Sequence, residues 1–224
     1  MFRRLADFVL GIVGRILFRL EIVGRENVPA KGPFMAMMNH IYFIDPALVG
    51  TFCPRSIIIM SKIENYANPL FAVVLRHYGS FPVRRGEVDM SAIRASLQVL
   101  EAGKGLLMAP EGTRSRTRSL QHAHDGAAWL AVRSGVPIVP VALSGQENLG
   151  KNIRRLRRTP LRIVFGEPFV FRTEGRVSRE QLCQMSAEAM YRLAALLPPP
   201  YRGVYSDVEQ ATSELIVPYR GAQG

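Results

Sequence analysis

Residues 39–45 read Asn-His-Ile-Tyr-Phe-Ile-Asp, which places an imidazole five positions before a carboxylate. His40 closes an apolar run and Asp45 stands directly before Pro46, so a strand end and a helix start are expected on either side of a short turn. Such a turn can bring the carboxylate onto one ring nitrogen and leave the other free to take a proton from a hydroxyl, the arrangement that alcohol activation requires. The same residues also suit a plainer role, with Asp45 as an ordinary N-cap and His40 as a hydrogen-bonded strand end.

Two further segments carry polar groups out of short apolar runs. Ala109-Pro-Glu-Gly-Thr-Arg-Ser-Arg116 breaks a strand-like run into a turn with backbone N–H groups, a hydroxyl and guanidinium side chains. That composition suits a phosphate: Gly112 lets the backbone approach closely and Arg114 presents a planar fork. Gly79-Ser-Phe-Pro-Val-Arg-Arg85 repeats the scheme, a short strand delivering Arg, although paired Arg after a strand is by itself unremarkable.

The elements that must hold these groups alternate. Periodicity predicts strands near 21–24, 34–38, 56–60, 80–83, 105–109, 136–142 and 161–165, and helices near 46–52, 68–77, 89–101, 124–134 and 178–197. Ser178 and Gln181 form a capping box, Gly103 and Gly135 sit where helices should end, and Pro198-Pro-Pro200 stops the last helix. The fold class is therefore α/β, a mostly parallel central sheet flanked by helices, in which ligands gather outside the carboxyl ends of the strands. Residues 39–40, 84–85, 110–114 and 144–145 would then line one edge.

Charge and composition bound the partners. The net charge is +11, and because residues 163–224 hold six Arg against seven acids, the first 162 residues carry a surplus of +12. Nucleic acid, anionic headgroups and phosphorylated substrates all fit such a field. Cys53 and Cys183 form no disulfide framework, and the His and Cys spacing gives no metal site. No uncharged run is long enough to span a bilayer. Residues 2–20, however, place Arg4, Asp7, Gly11, Arg15 and Arg19 on a narrow polar stripe of an otherwise apolar helix, which suits the headgroup boundary of a membrane; packing on its own domain is the alternative. The expected organisation is an amphipathic membrane-interface helix over 1–21, the main domain over 22–200 and a surface tail over 201–224. Met1-Phe-Arg-Arg is followed by no small-residue cleavage site, so cleavage is not expected.

Together the blocks resemble the glycerol-phosphate and lysophosphatidic acid acyltransferase family in type and order. His40 and Asp45 match its His-x4-Asp block, Gly79, Phe81 and Arg85 its second, Pro110 to Ser115 its Pro-Glu-Gly-Thr-Arg-Ser block in full, and Val136 to Val141 its apolar strand with Pro. The resemblance covers about residues 22–170. It implies His40 as general base, Asp45 as its orienting partner, and Arg85, Glu111, Gly112, Thr113 and Arg114 as acceptor-binding groups, with acyl-CoA or acyl carrier protein as co-substrate and no cofactor or metal. The implied reaction moves an acyl group from the thioester to a lysophospholipid, 1-acylglycerol-3-phosphate first among the acceptors, in a peripheral protein on the cytoplasmic face of the membrane. Tyr42 replaces the family's usual Ser, and His124-Asp125 replaces the Lys or Arg before Gly126-Ala127, so another lyso-lipid acceptor stays open.

Other classes fit less well. No Ser has a Gly-x-Ser-x-Gly elbow, and Gly145 to Lys151 imitates a phosphate loop but places Asn152 where a metal-binding hydroxyl is needed. Lys151, Arg154, Arg155, Arg157, Arg158 and Arg162 could serve a non-enzymatic nucleic-acid or membrane binder. That run lacks interleaved aromatics, so an anionic lipid surface is the expected partner and nucleic acid is not.

Overall fold

A computed structural model describes residues 2–77, 79–84 and 89–221. In chain order the elements are α1 (Phe2–Leu17), β1 (Phe18–Val23), β2 (Phe34–Met38), α2 (Asp45–Phe52), β3 (Ile57–Lys62), α3 (Pro69–His77), β4 (Phe81–Val83), α4 (Met90–Glu101) and β5 (Gly105–Met108). They continue with α5 (Gly126–Ser134), β6 (Ile138–Ser144), α6 (Leu149–Ile153), β7 (Thr159–Phe165), β8 (Phe169–Phe171), α7 (Arg179–Ala195) and β9 (Ile216–Pro218).

The sheet runs in the order β1-β7-β6-β2-β5-β3-β4. Strands β2 to β6 are mutually parallel, since each is separated from the next by a helix that crosses back. Strand β2 lies at the centre and is buried along its whole length. Its residues divide between two cores, as a strand with both faces covered must: Phe34, Ala36 and Met38 pack with Val49, Phe52 and Phe165 on one side, and Met35 and Met37 with Leu130, Met190 and Leu193 on the other.

The sheet reverses at β7. No helical crossover of useful length separates it from β6, and it returns antiparallel, pairing Ser144 with Arg162 and Val141 with Phe165. Strand β1 then adds in parallel to β7, Phe18 opposite Thr159. The starts of β1 and β7 therefore lie at the sheet edge where β2, β5 and β6 end.

Helix α1 stops earlier than periodicity suggests. Phe18 turns inward, 2% exposed, and opens β1, so helix and strand divide the segment expected to be helical to residue 20. Burial of one large ring between β7 and the α2 side of the core outweighs continuation of the apolar helical pattern. Gly11 and Gly14 form the buried side of α1. Their lack of a side chain allows close approach to α2, because a Cβ at Gly14 would stand 2.8 Å from Phe52 Cζ. Leu5, Phe8, Val9, Ile12, Val13 and Ile16 remain exposed.

Residues after the triple proline run largely over the surface and are tied to the domain at several points. Tyr201 O accepts from Leu120 N at 2.9 Å, Val204 N donates to Leu120 O at 3.2 Å, and Ala123 N donates to Tyr205 Oη at 3.2 Å. Further on, the buried Glu188 carboxylate of α7 accepts from Thr212 Oγ1, Glu214 N and Leu215 N, which leads the chain into β9 beside β8. Short-range periodicity gives no sign of β8, β9 or α6, whose three to five residues depend on these distant partners.

Candidate active site

The carboxyl end of β2 delivers Asn39 and His40 to the sheet edge. Asn39 is buried and clamps the neighbouring strand twice: its Nδ2 donates to Leu143 O at 2.9 Å and its Oδ1 accepts from Leu143 N at 2.8 Å. The side chain thus extends the ladder one step past the last strand residue and fixes where His40 emerges. Sequence reasoning placed Asn39 at the edge without this function.

Asp45 begins α2 and is fully buried. Its Oδ2 accepts from Ile41 N and Tyr42 N, each at 2.7 Å, and stands 3.2 Å from His40 Nδ1. Its Oδ1 accepts from Gln146 Nε2 at 3.1 Å. A carboxylate held this way has acceptor capacity alone to offer the imidazole, so Nδ1 carries the proton and Nε2 is left with its lone pair. The geometry is that of an oriented general base.

Gln146 was not singled out from the sequence. It reaches Asp45 because Gly145, at φ 97°, turns the chain against β7; a Cβ there would meet Pro160 O at 2.3 Å. Among the described residues Gln146 Oε1 has no hydrogen-bond partner.

The turn after β5 is tied to the same loop. His40 N donates to Glu111 Oε1 at 3.3 Å, Gln121 N donates to Glu111 Oε2 at 2.9 Å, and Ser115 N donates to His40 O at 2.7 Å. Burial, with Asp45 nearby, pushes the Glu111 carboxyl up to about 7 against the pull of its two N–H donors. Glu111 is only 3% exposed and both its oxygens face backbone, whereas Gly112, Thr113 and Arg114 are exposed beside it. Gly112 has φ 66°, and a Cβ on it would lie 2.9 Å from His124 Cδ2, so the departure at position 124 flanks this turn directly. Arg84 follows β4 on the same edge; Arg85 lies outside the described residues.

Comparison with known proteins agrees with this architecture. The acyltransferase family model matches residues 19–144, more than half of the chain. A 1-acyl-sn-glycerol-3-phosphate acyltransferase of Bacillus subtilis is 27% identical over 150 residues, covering 66% of this chain and 73% of that protein. A lyso-ornithine lipid O-acyltransferase of Pseudomonas aeruginosa is 34% identical over 115 residues, covering 51% of this chain but only 44% of its own length. The crystal structure of a 1-acyl-sn-glycerophosphate acyltransferase from Thermotoga maritima superposes with a TM-score of 0.65 at 23% identity, over 83% of this chain and 75% of that one, and shares the fold.

Proposed function

Since the chain belongs to the acyltransferase family, we propose that it transfers a fatty acyl group from acyl-CoA or acyl carrier protein to the free hydroxyl of a lysophospholipid, 1-acylglycerol-3-phosphate being the first candidate. The observation that carries this is the oriented imidazole, 3.2 Å from a buried carboxylate and tied by backbone to a turn exposing Thr113 and Arg114.

In this mechanism His40 Nε2 takes the acceptor hydroxyl proton as its oxygen attacks the thioester carbonyl. The C–S bond then breaks and the proton passes to the departing thiolate, with no acyl-enzyme and no metal or cofactor in the scheme. Asp45 holds the ring and offsets the imidazolium charge. Glu111 serves by bracing the turn from inside, while Gly112, Thr113 and Arg114, with Arg85, meet the acceptor phosphate. General-base help supplies about 10²- to 10⁴-fold, and the remainder comes from positioning and from electrostatic stabilisation of the oxyanion.

The exposed apolar row of α1 lies in the bilayer interface and makes the protein peripheral, on the cytoplasmic face, with anionic lipid and not nucleic acid as its surface partner. No helix among the described residues is long and apolar enough to cross a membrane. A second acceptor remains in view because His124 abuts Gly112 at the headgroup turn.

The test is an acceptor panel of lysophosphatidate, other lysophospholipids and a lyso-amino lipid, each assayed with labelled acyl-CoA and acyl carrier protein. His40→Ala should abolish turnover and Arg114→Ala should raise KM for phosphate-bearing acceptors. A folded His40→Ala protein with near-normal transfer would overturn the mechanism.

A further inference from the structure

Leu156 is 98% exposed and adopts φ 51°, a backbone region that leucine rarely occupies. The conformation is built. Asn152 O accepts from Arg155 N at 3.0 Å and Arg157 N at 2.9 Å, Leu156 N donates to Ile153 O at 3.0 Å, and Asn152 Nδ2 donates to Thr159 Oγ1 at 3.1 Å. A closed turn thus presents Leu156, with the half-exposed Ile153 near it in sequence, among the exposed cations Lys151, Arg154, Arg155 and Arg157. No acid occurs between Glu147 and Glu167.

Arg158 points the other way. Its guanidinium donates through Nε at 3.1 Å and Nη2 at 2.6 Å to Phe18 O, and through Nη2 to Arg15 O at 2.7 Å. It satisfies carbonyls at the carboxyl end of α1 and fixes the turn to that helix. Because β7 and β1 begin where β2 and β6 end, this junction sits at the edge that carries His40, where Phe43, 66% exposed between His40 and Asp45, also faces solvent.

We propose that residues 153–157 form a second lipid-inserting element, tipped by Leu156, which with α1 seats the His40 edge of the sheet on an anionic bilayer surface. The proposal rests on the interfacial role given to α1 above and adds an anchor at the other side of the Arg158 staple. A bilayer suits both components: the cations meet anionic headgroups, and an aliphatic tip gains only on entering an apolar phase. A single-stranded nucleic acid would call instead for an aromatic on which bases stack.

The experiment uses the full chain with Leu156→Trp in a Trp129→Phe background, which leaves one indole as the reporter, and vesicles of phosphatidylcholine with or without phosphatidylglycerol. Emission from that indole should shift to shorter wavelength on the anionic vesicles and be quenched by lipids brominated in the acyl chain. In sedimentation, Leu156→Ser should weaken anionic-vesicle binding by about tenfold, and Arg154→Gln with Arg155→Gln by at least as much. Turnover of a short-chain, monomeric acceptor should be unchanged in all of them. If vesicles bind but leave the reporter unshifted and unquenched, the insertion proposal falls; loss of binding in Phe8→Ser would then show that α1 docks alone. If Leu156→Ser weakens binding and Phe8→Ser does not, the finger stands and the role of α1 fails. A reporter shift with poly(U) RNA but not with vesicles would overturn the proposal in favour of a nucleic-acid patch.

Discussion

Replacing Asp45 by Asn and by Ala separates what this side chain does for chemistry from what it does for the fold. The carboxylate receives four N–H groups, from His40 Nδ1, Ile41, Tyr42 and Gln146, in a fully buried position. Alanine strands all four, and at about 1–3 kcal/mol per unsatisfied buried donor the loss is about 3 kcal/mol or more even if water reaches one of them. Asparagine keeps one oxygen for His40, Ile41 and Tyr42. Its NH₂ would face Gln146, whose amide can rotate to offer Oε1, the atom that is unpartnered in the native chain. Exchange of charged for neutral acceptor bonds then costs about 1–2 kcal/mol. Both variants lack the negative charge that stabilises the imidazolium, so both should lose about 10²-fold or more in kcat. Urea unfolding followed by circular dichroism, beside initial rates with labelled acyl-CoA, reads both quantities. Asp45→Asn activity within threefold of wild type, or Asp45→Ala no less stable than Asp45→Asn, would refute the reasoning.

Glu111 gives a pH signature. Its folded-state value of about 7 lies above the ordinary 4.5, so the unfolded chain releases this proton first and stability falls as pH rises from about 4.5 to 7, by up to about 3 kcal/mol. Glu111→Gln should flatten that part of the stability–pH curve, and an equal slope in the two proteins would remove the assignment. Asn39→Ala leaves both the N–H and the carbonyl of Leu143 without their clamp and should lower stability by about 2–4 kcal/mol in chemical denaturation. Gly14→Val should lever α1 from Phe52 and expose the helix to protease, since the added Cβ begins 2.8 Å from the ring; unchanged digestion would argue that α1 is not packed there.

The His40–Asp45 pair was legible because its determinants are local: a strand end, a five-residue step and a carboxylate before proline at a helix start. The central parallel strands were legible for a related reason, their short apolar runs being separated by capped helices. Partners at long range were not. Gln146 meets Asp45 across 101 positions and Asn39 meets Leu143 across 104, and no period in the chain encodes either. Glu111 shows the limit of matching a motif: the resemblance implies an acceptor-binding carboxylate, whereas burial leaves both its oxygens turned to backbone N–H groups. The helix end at Leu17 was missed because an apolar residue satisfies a helix face and a strand equally well, and only its neighbours in space decide.

The bonds between Tyr201, Val204 and Leu120 reach further than the tail they order. Residues 115–124 run from the turn after β5 to α5, and their middle hangs from this segment, while Tyr201 Oη also donates to Glu147, next to Gln146. A shortened gene product ending at the triple proline would keep the central strands and the His40–Asp45 pair, yet free the loop beyond Arg114. Clipping there would first show as relaxed discrimination among acceptors, well before any change in helical content.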